Sequence, residues 1–451
     1  MIRRPLALAL LLALVPAAAS AEDLLQTYEL ARGSDPLLAI SESNRDISRE
    51  GRVQARAALL PQINGSASLS RSYAAGVDGD ARRRSVGVDL SQTVFDLGAI
   101  SNLRAQRDLA AAAGFDLDAA NHELITRTSA AYFNVLVAIE TLAASEAAEA
   151  ALQKQYDFAD KRLEVGLAPI TDVHEARAQY DAARANAILA RNALEDAYQA
   201  LAEITGRPVR ELRALPEDFQ PEAPEAGGLD RWLAAAMENN PSLRAAEYSV
   251  SAAEHGVTTA RSGHLPRLTL GAGYDNGAAW GDLGTGGGAG TSTGEGHSVG
   301  LTLTVPIFAG GATQSQVRQA LSRRDISEQQ FEQARRALDR NTRNAYQTVV
   351  AGVSEIEARR QALISARSAH EASQVGLEVG TRTVVDVLIN QQNLFNAERE
   401  YALARYNFLQ NRLLLAQAAG TLGIADVQEI NRLLTVDAAT PPTQPGAGSN
   451  G

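Results

Sequence analysis

The sequence LEVGLAPITDV at residues 163–173 returns as LEVGTRTVVDV at residues 377–387, 214 positions further along (377 minus 163). The same offset aligns Tyr132 with Tyr346. Two upstream segments have counterparts in the same order: LLPQI at 59–63 with HLPRL at 264–268, and TVFDLG at 93–98 with VPIFAGG at 305–311. Self-similarity at a long fixed spacing indicates two structurally equivalent halves within one chain.

Each half contains two segments in which apolar residues alternate with small or polar ones. In the clearest segment the apolar positions are Val299, Leu301, Leu303, Val305 and Ile307. A period of two is typical of a strand with one apolar face. The pattern predicts four strands per chain, at about 62–75, 85–95, 267–276 and 297–308, with exposed hairpin loops at 75–84 and 277–296. Arginines 82–84 in the first loop are interpreted either as a solvated run or as contacts to lipid phosphates.

Long helices are predicted after each pair of strands, because no proline lies between Phe95 and Pro169 or between Pro306 and Pro441. They span about 100–165, 171–205, 312–379 and 384–420. At 1.5 Å per residue, the first would be roughly 100 Å long. Apolar residues recur every seven positions in the last helix, a pattern that favours coiled-coil packing; they are Val387, Leu394, Tyr401, Phe408 and Leu415.

The N-terminus has the features of an export signal. Arg3 and Arg4 precede an apolar run at 6–15 and a small-residue triplet at 19–21, so residues 1–21 are predicted to be a cleaved signal peptide. An uncleaved membrane anchor is the alternative, although the run is shorter than the ~20 residues that a spanning helix needs. The remaining segments are predicted as a first repeat at 22–206, a linker rich in proline and glycine at 207–228, a second repeat at 229–423, a short helical segment at 424–439 and a disordered tail at 440–451.

Composition argues against several classes of function. The net charge of −11 is unfavourable for binding nucleic acid, and the absence of cysteine excludes thiolate metal sites and thiol catalysis. His174-Glu175 lacks the second histidine of a zinc-binding helix. The glycine-rich segment at 284–289 leads into a predicted strand rather than a helix, which argues against a dinucleotide site. We therefore expect no enzymatic activity, no cofactor and no metal.

Four strands are too few to close a barrel. In lipid, an open sheet edge leaves backbone groups unpaired at a cost of several kcal/mol each, so the strands must pair with other chains or lie in water.

In the duplicated LEVG segments, the LLPQI and HLPRL strand entries and GTRTVVDVL, the chain resembles TolC-type outer-membrane channels, the outer membrane efflux and type I secretion proteins. The resemblance covers nearly all of 22–436 and implies an α+β membrane protein. A homotrimer would form one transmembrane β-barrel from four strands per chain, continued by a long antiparallel coiled-coil helical barrel in the periplasm. Such a protein lies in the cell outer membrane and passively conducts drugs or unfolded proteins outward. The implied partners are a periplasmic adaptor (membrane fusion) protein, an inner-membrane ABC, RND or MFS transporter and outer membrane lipid. An exported trimeric coiled-coil surface protein or adhesin is the alternative.

The resemblance also implies a periplasmic gate at the turns between long and short helices. Matched by motif, Thr171 and Asp172 in the first turn face Arg382 in the second, and Asp386 projects into the pore as a ring of three carboxylates. Two positions depart from the family pattern: Leu377 stands where a tyrosine is expected, and Ile389 stands where a second pore aspartate is expected.

A simpler interpretation is that Thr383 and Asp386, spaced as a capping box, begin the second helix. The two interpretations are compatible.

Overall fold

The computed structural model of the chain describes residues 22–73, 80–167, 169–216, 218–224, 228–281 and 291–438. The predicted signal peptide at 1–21 and the predicted tail at 440–451 lie outside these ranges and remain predictions.

Both halves of the chain contain the same six elements in the same order. In the first half they are α1 (Leu24–Ser34), α2 (Pro36–Ala57), β1 (Gln62–Tyr73), β2 (Asp80–Phe95), α3 (Leu97–Glu164) and α4 (Ile170–Thr205). A short strand, β3 (Arg213–Ala214), follows, and the second half then has α5 (Gly228–Asn239), α6 (Pro241–Arg261), β4 (Arg267–Gly281), β5 (Ser292–Thr304), α7 (Ala312–Glu378) and α8 (Val384–Ala419). The chain continues with α9 (Ile424–Leu433) and β6 (Val436–Asp437). The lengths also agree, because α3 and α7 have 68 and 67 residues and α4 and α8 both have 36.

The four long strands form one antiparallel sheet in the order β1-β2-β4-β5. The sheet therefore has the four strands per chain that the sequence analysis predicted. Two rows of paired residues show how the sheet divides into two faces. Ile63, Leu90, Ala272 and Val299 share one row on what we call the apolar face. Asn64, Asp89, Gly273 and Ser298 share the neighbouring row on the opposite, polar face.

The strands extend further into the predicted loops than the sequence suggested. β2 begins at Asp80 rather than about 85, β4 runs to Gly281 rather than 276, and β5 begins at Ser292 rather than 297. The prediction of loops at 75–84 and 277–296 was therefore wrong for residues 80–84, 277–281 and 292–296, which are in strands. Charged and glycine-rich segments still form strand pairs when the neighbouring strand continues beside them. β5 ends at Thr304 rather than 308, since Pro306 has no N–H to donate to a ladder.

The chain forms two compact units, and these do not coincide with the two repeats. One unit takes residues 40–119 and 241–338 and contains the whole four-stranded sheet. In the described chain, the other takes residues from 22–39, 120–240 and 339–438, so each unit draws on both halves of the sequence.

The second unit has a core that includes the segment predicted as a linker. Val209, Leu212 and Leu215 in that segment are buried, and β3 pairs with β6. The buried hydroxyl of Tyr132 accepts a hydrogen bond from the Arg213 nitrogen at 2.8 Å. The segment predicted as a linker at 207–228 thus also provides a strand, β3, and the short helical segment predicted at 424–439 contains α9 followed by β6.

The heptad prediction for α8 is confirmed, since all five of the residues that define it are buried: Val387, Leu394, Tyr401, Phe408 and Leu415.

None of the helices in the described ranges carries an apolar stretch long enough to cross a membrane.

Candidate functional site: the paired helix turns

The two LEVG segments form the turns that join α3 to α4 and α7 to α8. We call them the first LEVG turn (163–169) and the second LEVG turn (377–383). In each, the glycine has a left-handed backbone, with φ of +73° at Gly166 and +78° at Gly380. Residues other than glycine rarely adopt this conformation, so the repeated glycine ends both long helices at the same point.

The backbone hydrogen bonds of the two turns match position by position. In the first, the nitrogens of Gly166 and Leu167 donate to the carbonyls of Leu163 and Arg162 at 2.9 and 2.8 Å. In the second, the nitrogens of Gly380 and Thr381 donate to the carbonyls of Leu377 and Gly376 at 3.2 and 2.8 Å. Both sets are the paired bonds of a Schellman motif, so the sequence repeat is also a repeat of local geometry.

Leu377 therefore contributes its carbonyl to the second turn. Its half-buried side chain is apolar, so it supplies no hydroxyl for a polar link.

Gly376, which directly precedes the second LEVG turn, is a residue that the sequence analysis missed. It is buried, and its carbonyl also accepts a bond from the Arg382 nitrogen at 3.1 Å. A Cβ at this position would lie 2.6 Å from Cγ of Arg382, so the arginine stem crosses directly over the glycine. The signal was available in the repeat, because the equivalent position in the first turn is Arg162, and only the second turn has glycine there.

The predicted capping box is present at the start of α8. Oδ2 of Asp386 accepts hydrogen bonds from the backbone nitrogen and the hydroxyl of Thr383 at 2.9 and 2.8 Å, and the Asp386 nitrogen donates to that hydroxyl at 3.2 Å. These bonds hold the pKa of the Asp386 carboxyl below its usual value, and the nearby charge of Arg382 adds a smaller effect. Asp386 is therefore a carboxylate near neutral pH, at a helix N-terminus that favours negative charge.

The start of α4 is built differently. Its N-cap is Pro169, which has no side-chain acceptor, and the Asp172 nitrogen bonds to the Pro169 carbonyl at 3.2 Å. Thr171 is exposed and Asp172 half-buried in the first turn of the helix. Both sides of the site thus present an acidic residue in the first turn of a returning helix.

Apolar contacts near the turns position the helices. Leu388 of α8 is buried against Leu152 of α3 and Ala183 of α4. Since Leu388 faces these helices, the next residue, Ile389, points away from them and is 55% exposed. Ile389 thus places an apolar side chain at the surface, one helical turn after Asp386.

Tyr156 and Tyr180 stack between α3 and α4 at a centroid distance of 6.3 Å and an angle of 6°. They lie beside the two apolar clusters that hold the first helix pair, one around Leu152 and one around Val173. The sequence analysis did not single out these rings.

Of the predicted gate residues, the structure brings Arg382 and Asp386 close together at the second turn, beside Thr383 of the capping box. No hydrogen bond or ion pair of 4.0 Å or less joins Arg382 to Thr171 or Asp172 within the described part of the chain. The side chain of Arg382 is exposed.

The exposed His174 lies in α4. In the described residues, no group of three or more histidine and acidic side chains is arranged to hold a metal ion.

Two long helix pairs with matching turns, together with a four-stranded sheet that has one apolar face, define the class of outer-membrane channel proteins. The chain belongs to the outer membrane efflux protein family, whose model matches residues 27–207 and 232–421. It is 37% identical over 434 residues to the outer membrane protein TolC of Escherichia coli, an alignment that covers 94% of this chain and 87% of the relative. It is 28% identical over 417 residues to the alkaline protease secretion protein AprF of Pseudomonas aeruginosa, covering 90% and 86% of the two chains.

Among solved structures, the outer membrane channel CmeC of Campylobacter jejuni superposes with a TM-score of 0.76 at 20% identity, covering 92% of this chain and 90% of that one. This similarity supports the fold.

Proposed function

We propose that three copies of this chain assemble into an outer-membrane exit channel that conducts drugs or unfolded proteins from an inner-membrane pump to the exterior. The observation that carries the proposal is the sheet, which has an apolar face and a polar face. Its two outer strands, β1 and β5, each have a single neighbouring strand in the part of the chain that the structure describes. Three copies joined edge to edge supply twelve strands. Such a ring satisfies the backbone groups of both edges and turns the apolar faces toward lipid and the polar faces toward a water-filled lumen.

The apolar face supports a position in the membrane rather than in water. Ile63, Val299, Leu301 and Leu303 are between 62% and 81% exposed, although all four belong to regular strands. A row of such side chains on a soluble surface would be an aggregation hazard, whereas hydrocarbon solvates it. This favours the channel over an exported trimeric surface protein, and the family match favours it independently.

The partners are proposed from the relatives. A passive duct has no energy source, so a periplasmic adaptor protein and an inner-membrane ABC, RND or MFS transporter would supply it. The AprF protein is named for protease secretion and the family model for efflux, so both kinds of cargo stay within the proposal.

We place the gate of this channel at the LEVG turns. Among the described residues, Arg382 has no hydrogen bond or ion pair to Thr171 or Asp172 of its own chain. In the proposed trimer, Arg382 meets these two residues of a neighbouring copy. Leu377 has no hydroxyl to add an intrachain link, which leaves Arg382 to hold more of the closed state. The three Asp386 carboxylates form a ring in the pore, and Ile389 adds an apolar ring one turn further on.

The trimer is tested by chemical cross-linking of the detergent-purified protein followed by mass measurement. The expected product has three times the mass of the chain. A stable monomer in buffer without detergent would contradict the proposal. Insertion into planar bilayers provides the second measurement, since an assembled channel gives discrete conductance steps and an adhesin does not.

A further inference from the structure

The two outer strands of the sheet are exposed on both faces, whereas an inner strand is not. Every residue of β1 is exposed, as are all but one of the residues of β5. Most residues of β4, which has a strand on each side, are half-buried. In the described chain, β1 and β5 therefore have the exposure of strands that lack a second neighbour, and the unpaired backbone groups along such an edge are costly in lipid.

The two repeats meet in the sheet through β2 and β4, and we call this pairing the internal junction. It is antiparallel, and its register includes Asp89 opposite Gly273. A closed ring of copies needs one more kind of junction, in which β5 of one copy meets β1 of the next. Because the hairpins β1-β2 and β4-β5 are equivalent, the internal junction is a template for the junction between copies.

The equivalent positions of the two hairpins can be counted. β1 begins at Gln62 and β4 at Arg267, an offset of 205 positions (267 minus 62) that LLPQI and HLPRL share. Gln62 pairs with Ser91, and Arg267 pairs with Thr304. β2 and β5 are therefore offset by 213 positions (304 minus 91), and the phenylalanines of TVFDLG and VPIFAGG have the same offset. Sequence and register thus agree on both offsets.

The two offsets convert the internal junction into a register between copies. Asp89 of β2 corresponds to Thr302 of β5 (89 plus 213). Gly273 of β4 corresponds to Ser68 of β1 (273 minus 205). Because those residues of β2 and β4 pair, Thr302 is expected opposite Ser68 of the neighbouring copy. The bulge of the internal junction, at Thr93–Phe95, lies several residues away and leaves this part of the register unchanged.

The chemistry of both faces agrees with this register. On the polar face it places a hydroxyl opposite a hydroxyl, as in the chain's own contact between Ser68 and Ser85, whose oxygens are 2.9 Å apart. On the apolar face it places Leu301 opposite Leu69, which are 62% and 75% exposed. A slip of one residue would place leucine opposite serine, because strand side chains alternate between faces. Slips of two residues keep the faces matched, so it is the repeat that selects among them.

The helices near the sheet repeat this relation, since α6 of the second half packs against α3 of the first. The Ser251 hydroxyl donates to the Asp108 carboxylate at 2.7 Å. The rings of Tyr248 and Phe115 stack at a centroid distance of 5.5 Å. Ala252, one turn after Tyr248 on the same side of α6, is buried.

The counterpart of α6 in the first half is α2, and on α2 the corresponding face is exposed. By the offset of 205 positions, Ala245 corresponds to Ile40, and Ala252 to Ile47. The two alanines are buried, whereas the two isoleucines are 55% and 69% exposed. Apolar residues seven positions apart lie on one side of a helix, so this face of α2 is suited to pack against another helix. The counterpart of α3 is α7, which makes α7 of another copy the matching partner.

We propose that each copy joins the next through the surfaces by which the second repeat joins the first. β5 pairs with β1 of the neighbouring copy so that Thr302 faces Ser68, and α7 packs on the face of α2 that carries Ile40 and Ile47. This inference rests on the proposed function, because it requires the copies to form a closed ring. The partner is a second copy of this chain, since both exposed surfaces continue layers that the chain already joins within itself.

Disulfide cross-linking tests the register, and every disulfide is diagnostic because the chain has no cysteine. Opposed residues of antiparallel strands have Cα atoms about 4.5–5.5 Å apart, within the range for a disulfide. Within one chain, β2 and β4 separate the two positions by about 14 Å, so a bond can form only between copies. The oxidised, detergent-purified double variant Thr302→Cys, Ser68→Cys should give linked dimers and trimers that return to monomers on reduction.

The matched controls combine Thr302→Cys with Ser66→Cys or with Ser70→Cys. They place the same thiols on the same face, two residues out of register in either direction. Diagonal Cβ atoms lie about 7–8 Å apart, whereas a disulfide needs about 3.5–4.5 Å. Both controls should therefore cross-link at least about tenfold more slowly than the predicted pair. A control pair that cross-links as fast as the predicted pair would overturn the register.

Ile47→Glu tests the helix contact, with Arg49→Glu as its control. Arg49 is exposed, and its counterpart Glu254 is exposed as well, so this side of the helix stays in water at the internal junction. Ile47→Glu would bury an unpaired carboxylate at each of three contacts and should lower the yield of trimer by about tenfold or more. Arg49→Glu should assemble as the wild type does. Equal assembly of the two variants would overturn the helix contact.

Conductance in planar bilayers separates this inference from the function on which it rests. If the reduced variant Thr302→Cys, Ser68→Cys forms wild-type channels but does not cross-link on oxidation, the register is wrong and the channel stands. If the wild type forms neither trimers nor channels, the proposed function has failed and the register fails with it.

Discussion

Replacing Gly376 by alanine tests whether the position of Arg382 controls the gate. The new Cβ would lie 2.6 Å from Cγ and 3.2 Å from Cβ of Arg382. Non-bonded carbon atoms prefer about 3.5–4.0 Å, so the arginine stem must move by about 1 Å. These atoms are close to the backbone, and the Arg382 nitrogen is itself bonded to the Gly376 carbonyl. The turn must therefore shift with the side chain.

The magnitude follows from two opposing effects. Overpacking of this kind costs about 1–3 kcal/mol, whereas alanine gains about 0.8–1.0 kcal/mol over glycine in helix propensity. A net cost of up to about 2 kcal/mol falls on the state in which Arg382 stays in the position seen in the structure. If that state is the closed channel, the ratio of open to closed channels rises by up to about 30-fold.

Single-channel recording in planar bilayers is the assay, with Gly114→Ala in α3 as the control. A Cβ at Gly114 would meet no atom within 4 Å, so that variant should be as stable as the wild type or more so, with unchanged conductance. Gly376→Ala should conduct more often or at a higher level. Wild-type conductance in a correctly assembled Gly376→Ala trimer would refute the reasoning.

Three other predictions concern charged and titratable groups. Arg382→Ser should raise single-channel conductance by removing the cation that we propose holds neighbouring copies together; an unchanged level would contradict that role. Asp386→Ala should weaken block by multivalent cations, and Asp386→Asn, which keeps an oxygen acceptor for Thr383, should weaken it equally; an effect confined to the alanine variant would leave only the capping role. Burial lowers the pKa of His370 from its usual 6.5, so the stability that its neutral form contributes is present above about pH 6.5 and is lost as the pH falls through the lowered value. Hydrogen exchange at residues 366–378, corrected for intrinsic rates, should therefore accelerate between pH 8 and pH 5 in the wild type and not in His370→Phe.

The seven-residue spacing of apolar residues predicted the packing of α8 well, because residues at that spacing are the ones that the folded helix buries. In α8, Val387 and Phe408 are each 1% exposed, and they hold the same heptad position. The strand ends were harder to predict, because Arg82 and Arg84 are exposed and charged, which usually indicates a loop. The ladder extends this far because Arg82 pairs with both Arg71 of β1 and Trp280 of β4, and the second pairing connects residues almost 200 positions apart.

Features of the paired helix turns could be predicted from sequence where they depend on residues close together in the chain. The capping box at Thr383 and Asp386 depends on two residues three positions apart, so spacing alone identified it. The close approach of Arg382 to Gly376 depends on a backbone reversal between them, which the pattern of residue types does not specify. Contacts between copies of the chain are harder still to predict from sequence, because each chain supplies only one of the two residues in such a contact.

The unit that contains the paired turns also joins the two ends of the described chain. The Asn431 amide donates a hydrogen bond to the Asp23 carboxylate at 2.9 Å, and these residues are 408 positions apart. β6, which follows Asn431 in the chain, pairs with β3. Contacts of such long range form slowly, because a large loop must be closed before they stabilise anything. This unit cannot be completed until residues 431–437 have been synthesised. During synthesis the growing chain therefore stays without these contacts until α9 and β6 have emerged from the ribosome.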